Sequence, residues 1–361
     1  MPERLDWHHL EFYVGNAKQA AHYFIAAFGF EFAAYAGPET GLADRVSYVL
    51  EQGRLRFVLT SSLVPQGAIA EHVKRHGDGV RDIALRVPDA RAAFAAAISH
   101  GAIPVAEPVE YGDADGTCVL ASIGTYGETI HTLVERSAYR GTFLPGYAPH
   151  RSALRAAHAP GLRELDHCVG NVGWNEMDRW AAYYERAFGF SQLASFDDRD
   201  ISTEFTALRS KVVADAERRV KFPINEPARG RARSQVEEYL DAYGGAGVQH
   251  IAIATDDIVA AVRALRANGV EFLETPASYY DALAERIGEI PEATDVLREL
   301  SVLVDRDDRG YMLQIFTKPL ADRPTLFIEI IQRKGSLSFG KGNFKALFVA
   351  IEDDQRRRGT L

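Results

Sequence analysis

The chain repeats itself, and this restricts its fold more than any other feature. Residues 5–30, LDWHHLEFYVGNAKQAAHYFIAAFGF, match residues 165–190, LDHCVGNVGWNEMDRWAAYYERAFGF, without a gap at an offset of 160. Leu5–Asp6 meets Leu165–Asp166, Tyr23 meets Tyr183, and Phe28–Gly29–Phe30 meets Phe188–Gly189–Phe190. A second pair, residues 82–102 and 250–270, matches at an offset of 168, with Asp89 on Asp257 and Gly101 on Gly269. All four segments follow one plan: a short apolar strand, a helix, a glycine and a further strand. In the fourth, Asp256 or Asp257 is placed to cap the helix, and Ile258, Val262 and Leu265 form its apolar stripe. Gly269 sits where a left-handed residue ends a helix. A period this long, with strands and helices alternating, reads as a duplicated domain and not a solenoid. The expectation is an α+β chain of four βαβββ modules paired into two halves. Residues 139–162, with three prolines and three glycines, read as the linker between them. The expected domains are residues 1–150 and 151–361.

At 361 residues the chain is long for one domain and comfortable for two. Its net charge of -9 argues against a nucleic-acid binder, which needs a basic face. The run RRR at 356–358, followed by Gly359, reads as a helix C-terminus. Two cysteines, Cys118 and Cys168, make neither a disulfide framework nor a cysteine-based zinc site. No signal-peptide pattern and no membrane-length apolar run is present, so a cytoplasmic protein is expected.

The repeat also exposes a contrast. His167 and His250 start the first strands of the third and fourth modules, where the gapless alignment puts Trp7 and Asp82 in the N-terminal half. Two histidines at equivalent module starts can face each other, which is metal-ligand geometry. A carboxylate should complete the set. Glu329 lies inside the apolar run RPTLFIEIIQRKG, 323–335, where an unpaired charge is expensive to desolvate. If Phe327, Glu329 and Ile331 faced outward, their side would be a poor solvent face. Two histidines and one carboxylate leave open positions, as in non-haem Fe(II) oxygenases, and zinc accepts the same donors. The helical HExxH spacing is absent, DRDDRG at 305–310 reads as a hairpin turn, and GAGVQH at 245–250 leads into a strand.

At these residues the chain resembles the 4-hydroxyphenylpyruvate dioxygenases of the vicinal oxygen chelate superfamily. The similarity is densest in LDHCVGNV, SQVEEYLDAYGGAGVQHIAIATDDI, GYMLQIFTKPLADRPTLFIEIIQRKG and FGKGNFKALF. The resemblance implies two vicinal-oxygen-chelate domains, each an open β-barrel flanked by helices, with a C-terminal helix over the active site. It assigns one Fe(II) per chain to His167, His250 and Glu329. It assigns the substrate pocket to Ser210, Asn225, Gln235, Gln249, Gln314, Phe316, Phe327, Asn343 and Phe344, with Pro223 beside Asn225. It leaves the N-terminal half metal-free, with Trp7, Asp82 and Glu135 at the corresponding positions, as a structural or oligomerisation unit of a dimer or tetramer. The implied reaction takes 4-hydroxyphenylpyruvate and O2 to homogentisate and CO2, in tyrosine and phenylalanine catabolism, by oxidative decarboxylation, ring hydroxylation and side-chain migration. Neither nucleic acid nor membrane is implied as a partner.

Two rivals share this architecture. 4-Hydroxymandelate synthases act on the same substrate and carry a smaller aliphatic residue at the position of Phe344, so Phe344 favours ring attack. Non-catalytic small-molecule binders of the superfamily need no iron, and an intact His/His/Glu set counts against that reading.

Overall fold

Alternation along the central strands decides which side chains meet. In residues 250–253, Ile251 and Ile253 point into the hydrophobic core under the helices, while His250 and Ala252 point to the opposite face. A computed structural model describes residues 5–198 and 202–360. Its first module is β1 (Asp6–Tyr13), α1 (Ala17–Phe28), β2 (Glu31–Ala36), β3 (Arg45–Gln52) and β4 (Leu55–Ser62). Helix α2 (Ala68–His76) leads to the second: β5 (Gly79–Arg86), α3 (Ala90–Ser99), β6 (Ile103–Asp113), β7 (Gly116–Gly124) and β8 (Ile130–Glu135). A two-residue strand, β9 (Ala148–Pro149), precedes the third: β10 (Leu162–Asn171), α4 (Met177–Phe188), β11 (Ser191–Phe196), β12 (Ala207–Ala214) and β13 (Lys221–Ala228). Helix α5 (Gln235–Tyr243) leads to β14 (Gly247–Thr255) and α6 (Ile258–Ala267). Three short helices follow, α7 (Ser278–Asp281), α8 (Leu283–Ile287) and α9 (Thr294–Leu300). The chain ends with β15 (Leu303–Asp307), β16 (Gly310–Phe316), β17 (Phe327–Lys334) and α10 (Phe344–Arg358).

The βαβββ plan therefore holds in all four modules. Each half forms one curled mixed sheet, ordered β6-β7-β8-β5-β1-β4-β3-β2-β9 and β11-β12-β13-β10-β14-β17-β16-β15. Within a module the first strand pairs parallel with the last, and the two first strands pair antiparallel at the centre. Asp257 caps α6 by accepting from the Ala260 amide, and Gly269 adopts φ 91° just beyond it. The strand expected next is only an isolated bridge, Phe272 to Thr317, because α7 to α9 occupy that place. Arg356 to Arg358 end α10 before the left-handed Gly359.

Two further expectations change. The gapless alignment holds for the helices, where Gly29 and Gly189 both end a helix in the left-handed region. In the strands it slips by two. His9 pairs with Ala84 as His167 pairs with Ala252, since three residues join β1 to α1 but five join β10 to α4. Through the same ladders Asp82 matches His250, and Thr132 matches Glu329. Trp7 and Glu135 are not the counterparts. Trp7 donates to the Arg219 carbonyl, and Glu135 accepts from the Ala90 amide. Nor is the segment 139–162 a plain linker. Tyr139, Phe143 and Leu144 are buried against Ala34, Val49, Val58 and Ala84, and Phe143 packs on His8 and His9 at 5.6 and 5.1 Å. This segment fills the N-terminal face that the C-terminal half leaves open.

The halves share one continuous hydrophobic core. His131 bridges them: Nδ1 donates to the Ile83 carbonyl at 2.9 Å, and Nε2 accepts from the Tyr184 hydroxyl at 2.8 Å. Accepting at Nε2 needs the neutral ring, and burial lowers its pKa to about 4. The unfolded chain binds this proton below about pH 6.5 and the folded chain only near pH 4, so stability falls as pH falls through that window. Between pH 7 and 5 this histidine should cost about 2 kcal/mol. Urea unfolding at both pH values should show that much less loss in His131→Gln than in the parent. Among the described residues no helix is long and apolar enough to cross a membrane.

Candidate metal centre

Three neighbouring strands bring the predicted ligands together. The β10–β14 and β14–β17 ladders put His167, Ala252 and Glu329 in one row, with His250 two residues along β14 on the same face. Glu329 Oε2 lies 3.2 Å from His167 Nε2 and 3.3 Å from His250 Nε2. Donors about 2.0–2.1 Å from one cation stand roughly 3.0–3.4 Å apart, so these separations suit a shared metal. The second carboxylate oxygen, Oε1, is buried with no hydrogen-bond partner. A cation would satisfy it, and the donor set fits. Burial works against the Glu329 carboxylate, but the two imidazoles outweigh it and pull its pKa to about 2.

Each imidazole is oriented from behind. His167 Nδ1 is 2.7 Å from Asp166 Oδ1, and His250 Nδ1 is 3.1 Å from Gln249 Oε1. An oxygen acceptor on Nδ1 leaves the Nε2 lone pair for a metal. Asp166 is itself held by Arg333, at 2.8 and 2.9 Å, and by Lys221 at 3.4 Å. Burial opposes ionisation here too, but Arg333, His167 and Lys221 keep the Asp166 carboxyl well below the usual range. The sequence reading missed this support. The only available signal was Asp166 preceding His167, which the N-terminal half replaces with His8.

A cavity opens over the three ligands. Ser210, Pro223, Asn225, Gln235, Gln249, Gln314, Phe316, Phe327 and Phe344 all line it. Asn343 does not: it is buried behind the wall, where its Oδ1 accepts from the Tyr279 hydroxyl at 2.7 Å. Nor does its side chain cap α10. Phe339 and Phe348, unforeseen from sequence, complete the apolar wall, and Phe339 meets His167 edge-on at 5.5 Å. Phe327 stacks on His250 at 4.9 Å, and Phe344 meets Phe196 edge-on at 5.0 Å. At the polar end Asn225 Nδ2 is 3.4 Å from Asn171 Oδ1 and from Gln249 Oε1, and Gln249 Nε2 is 3.4 Å from Gln235 Oε1. These long contacts leave amide capacity for a ligand hydroxyl.

Helix α10 covers the cavity. Gly340, at φ 75°, allows the close approach, since a Cβ there would lie 2.6 Å from Gln314 Nε2. The far end is tied to α5 by Arg358 and Glu238 at 2.5 Å, and Thr206 Oγ1 donates to Glu352 at 2.6 Å.

Curled βαβββ sheets and a two-histidine, one-carboxylate centre define a metal-dependent member of the vicinal oxygen chelate class. Models of the Glyoxalase/Bleomycin resistance protein/Dioxygenase superfamily match residues 8–120 and 164–315. Within that class the chain belongs to the 4-hydroxyphenylpyruvate dioxygenase family. It is 48% identical over 366 residues to 4-hydroxyphenylpyruvate dioxygenase of Yarrowia lipolytica, covering 98% of this chain and 93% of that one. The Coccidioides posadasii protein of the same name is 48% identical over 373 residues, covering 98% and 94%. Among solved structures, a triple mutant of 4-hydroxymandelate synthase from Streptomyces coelicolor superposes with a TM-score of 0.88 at 36% identity, covering 98% of this chain and all of that one.

Proposed function

We infer that the chain is an Fe(II)-dependent dioxygenase, with one iron per chain, that converts 4-hydroxyphenylpyruvate and O2 to homogentisate and CO2. The observation that carries this is the His167/His250/Glu329 set lining a cavity walled by phenylalanines and ended by amides. The relatives named for that activity are more similar to the chain than the hydroxymandelate synthase, at 48% against 36% identity.

Iron, when bound by these three side chains, supplies the activation of O2. The rest of the work falls to the pocket. Phe316, Phe327 and Phe344 confine the aromatic ring, and Ser210, Asn225 and Gln235 meet its phenol with neutral donors and acceptors. Gln249 does two things: it lines the pocket and it orients His250. Leu208, Leu347, Phe339 and Phe348 keep the site apolar, and α10 excludes water while ring and side chain are held in line. Asn343 acts from behind the wall by holding Tyr279, and with it the start of α10.

Fe(II)-loaded protein given 4-hydroxyphenylpyruvate and air should consume O2 and release homogentisate, as separated by chromatography. No uptake by iron-loaded protein would overturn the assignment. Phe344, half-buried at the start of α10 against Phe196, is placed to favour ring attack over benzylic oxidation. Phe344→Val should raise the share of hydroxymandelate by about tenfold, a barrier difference near 1.4 kcal/mol. An active variant still making only homogentisate would remove Phe344 from product choice.

A further inference from the structure

A second cluster of ligand side chains lies outside the cavity, in the N-terminal half where the sequence led us to expect no metal. Helix α2 carries His72 and His76 one turn apart on the same face. Both are only 2% exposed. The β7–β8 turn brings Glu128 against them. Gly127 permits that turn: its φ is +63°, and a Cβ there would fall 2.1 Å from the Ala246 carbonyl oxygen of the other half. Glu128 Oε1 accepts from Arg75 at 2.7 Å. Its other oxygen, Oε2, lies 3.5 Å from His72 Nδ1 and 3.3 Å from His76 Nε2.

The nitrogen accounting points to a missing partner. His76 Nδ1 is 2.5 Å from the Tyr243 carbonyl, which can only accept, so this nitrogen carries the proton. His76 Nε2 then turns a lone pair toward a carboxylate oxygen. His76 Nε2 and both nitrogens of His72 are buried without a hydrogen-bond partner. Unsatisfied buried polar atoms are costly, and two of these, His72 Nδ1 and His76 Nε2, converge on one carboxylate oxygen, an arrangement that asks for a cation. All three side chains offer donor atoms within 4.8 Å of one another. Donors at tetrahedral angles around a zinc-like ion stand about 3.3 Å apart, which matches the spacings here. The Tyr243 carbonyl behind His76 is the backing that metal-bound imidazoles usually have.

We infer that His72, His76 and Glu128 form a second metal site, for a divalent transition cation of zinc-like preference, with a fourth position left for water. The set is too soft and nitrogen-rich for magnesium or calcium. The ion would pin α2 to the β7–β8 turn where both abut α5 and residue 246 of the C-terminal half. Its role is structural, since none of its residues lines the cavity. The site does not depend on the reaction assigned to the cavity.

The test is to titrate the metal-stripped full-length chain with Co2+, counting bound metal by equilibrium dialysis and following the cobalt absorption bands. The parent should bind two equivalents and Glu329→Gln one. Glu128→Gln should lose the other, or bind it at least tenfold more weakly. Glu128 is partly exposed on a turn, so this change should leave the fold intact, and His76→Asn gives a second reading. In the Glu329→Gln background, Zn2+ should raise the melting temperature, and adding Glu128→Gln should abolish that rise. If Glu128→Gln and His76→Asn bind as much Co2+ as the parent, the cluster is a metal-free contact and the inference fails.

Discussion

Glu329→Gln should abolish turnover while leaving the fold intact. The variant keeps the volume of the side chain but removes the only carboxylate among the three ligands. Its Oε2 is the atom both Nε2 nitrogens face, at 3.2 and 3.3 Å, and a neutral amide oxygen there is a far weaker donor. In the metal-free chain the two imidazoles outweigh desolvation and hold the carboxylate ionised, so the uncharged amide should also lower the urea midpoint of the stripped protein. O2 uptake should drop by at least about 1,000-fold, roughly 4 kcal/mol of lost transition-state stabilisation. Iron retained after dialysis should fall with it. Full activity at full iron content would remove Glu329 from the ligand set.

Asp166→Ala should be the most disruptive single change outside the ligands, because it acts in two ways at once. It strands Arg333 and Lys221, both largely buried, without their shared anion. Breaking a buried pair from one side costs on the order of 3–5 kcal/mol. It also frees His167 to rotate, and loss of such support typically weakens metal affinity by about 10–100-fold. Asp166→Asn separates these effects. The amide oxygen can still accept from His167 Nδ1, so iron affinity should largely survive, while the uncompensated guanidinium still lowers the denaturant midpoint. Equal iron affinity in the alanine variant and the parent would mean that the Asp166–His167 bond does not orient the ligand.

Much of the architecture was legible because the gene duplication left helix-ending glycines and aromatic pairs in place. Gly29 and Gly189 mark the same left-handed turn, and their spacing exposed the repeat. The metal set was legible for a different reason. A glutamate inside FIEII has no cheap place in an apolar strand unless something pairs with it, and the two module-start histidines were the available partners.

Other features depended on contacts between segments far apart in sequence. Asn343, adjacent to Phe344, reads equally well as a pocket amide or a helix cap, and it is neither. Only packing against Tyr279 and Arg286 selects its role. Segment 139–162 reads as a linker from its prolines and glycines, yet it plugs the N-terminal face, because Phe143 and Leu144 find apolar partners on β2 to β5.

By itself, the sequence determined the four-module plan and the cap and glycine stop of its fourth helix, and it brought His167, His250 and Glu329 forward as candidate ligands, since periodicity, caps and a charge inside an apolar strand are local properties of the chain. Tertiary structure alone decided the strand register that makes His9 and not Trp7 the counterpart of His167, the salt-bridged support behind Asp166, and the His72/His76/Glu128 cluster. Side chains in a strand alternate every residue, so a two-residue difference in one loop and a bulge in one ladder change which groups meet, and neither leaves a mark on the pattern read along the chain.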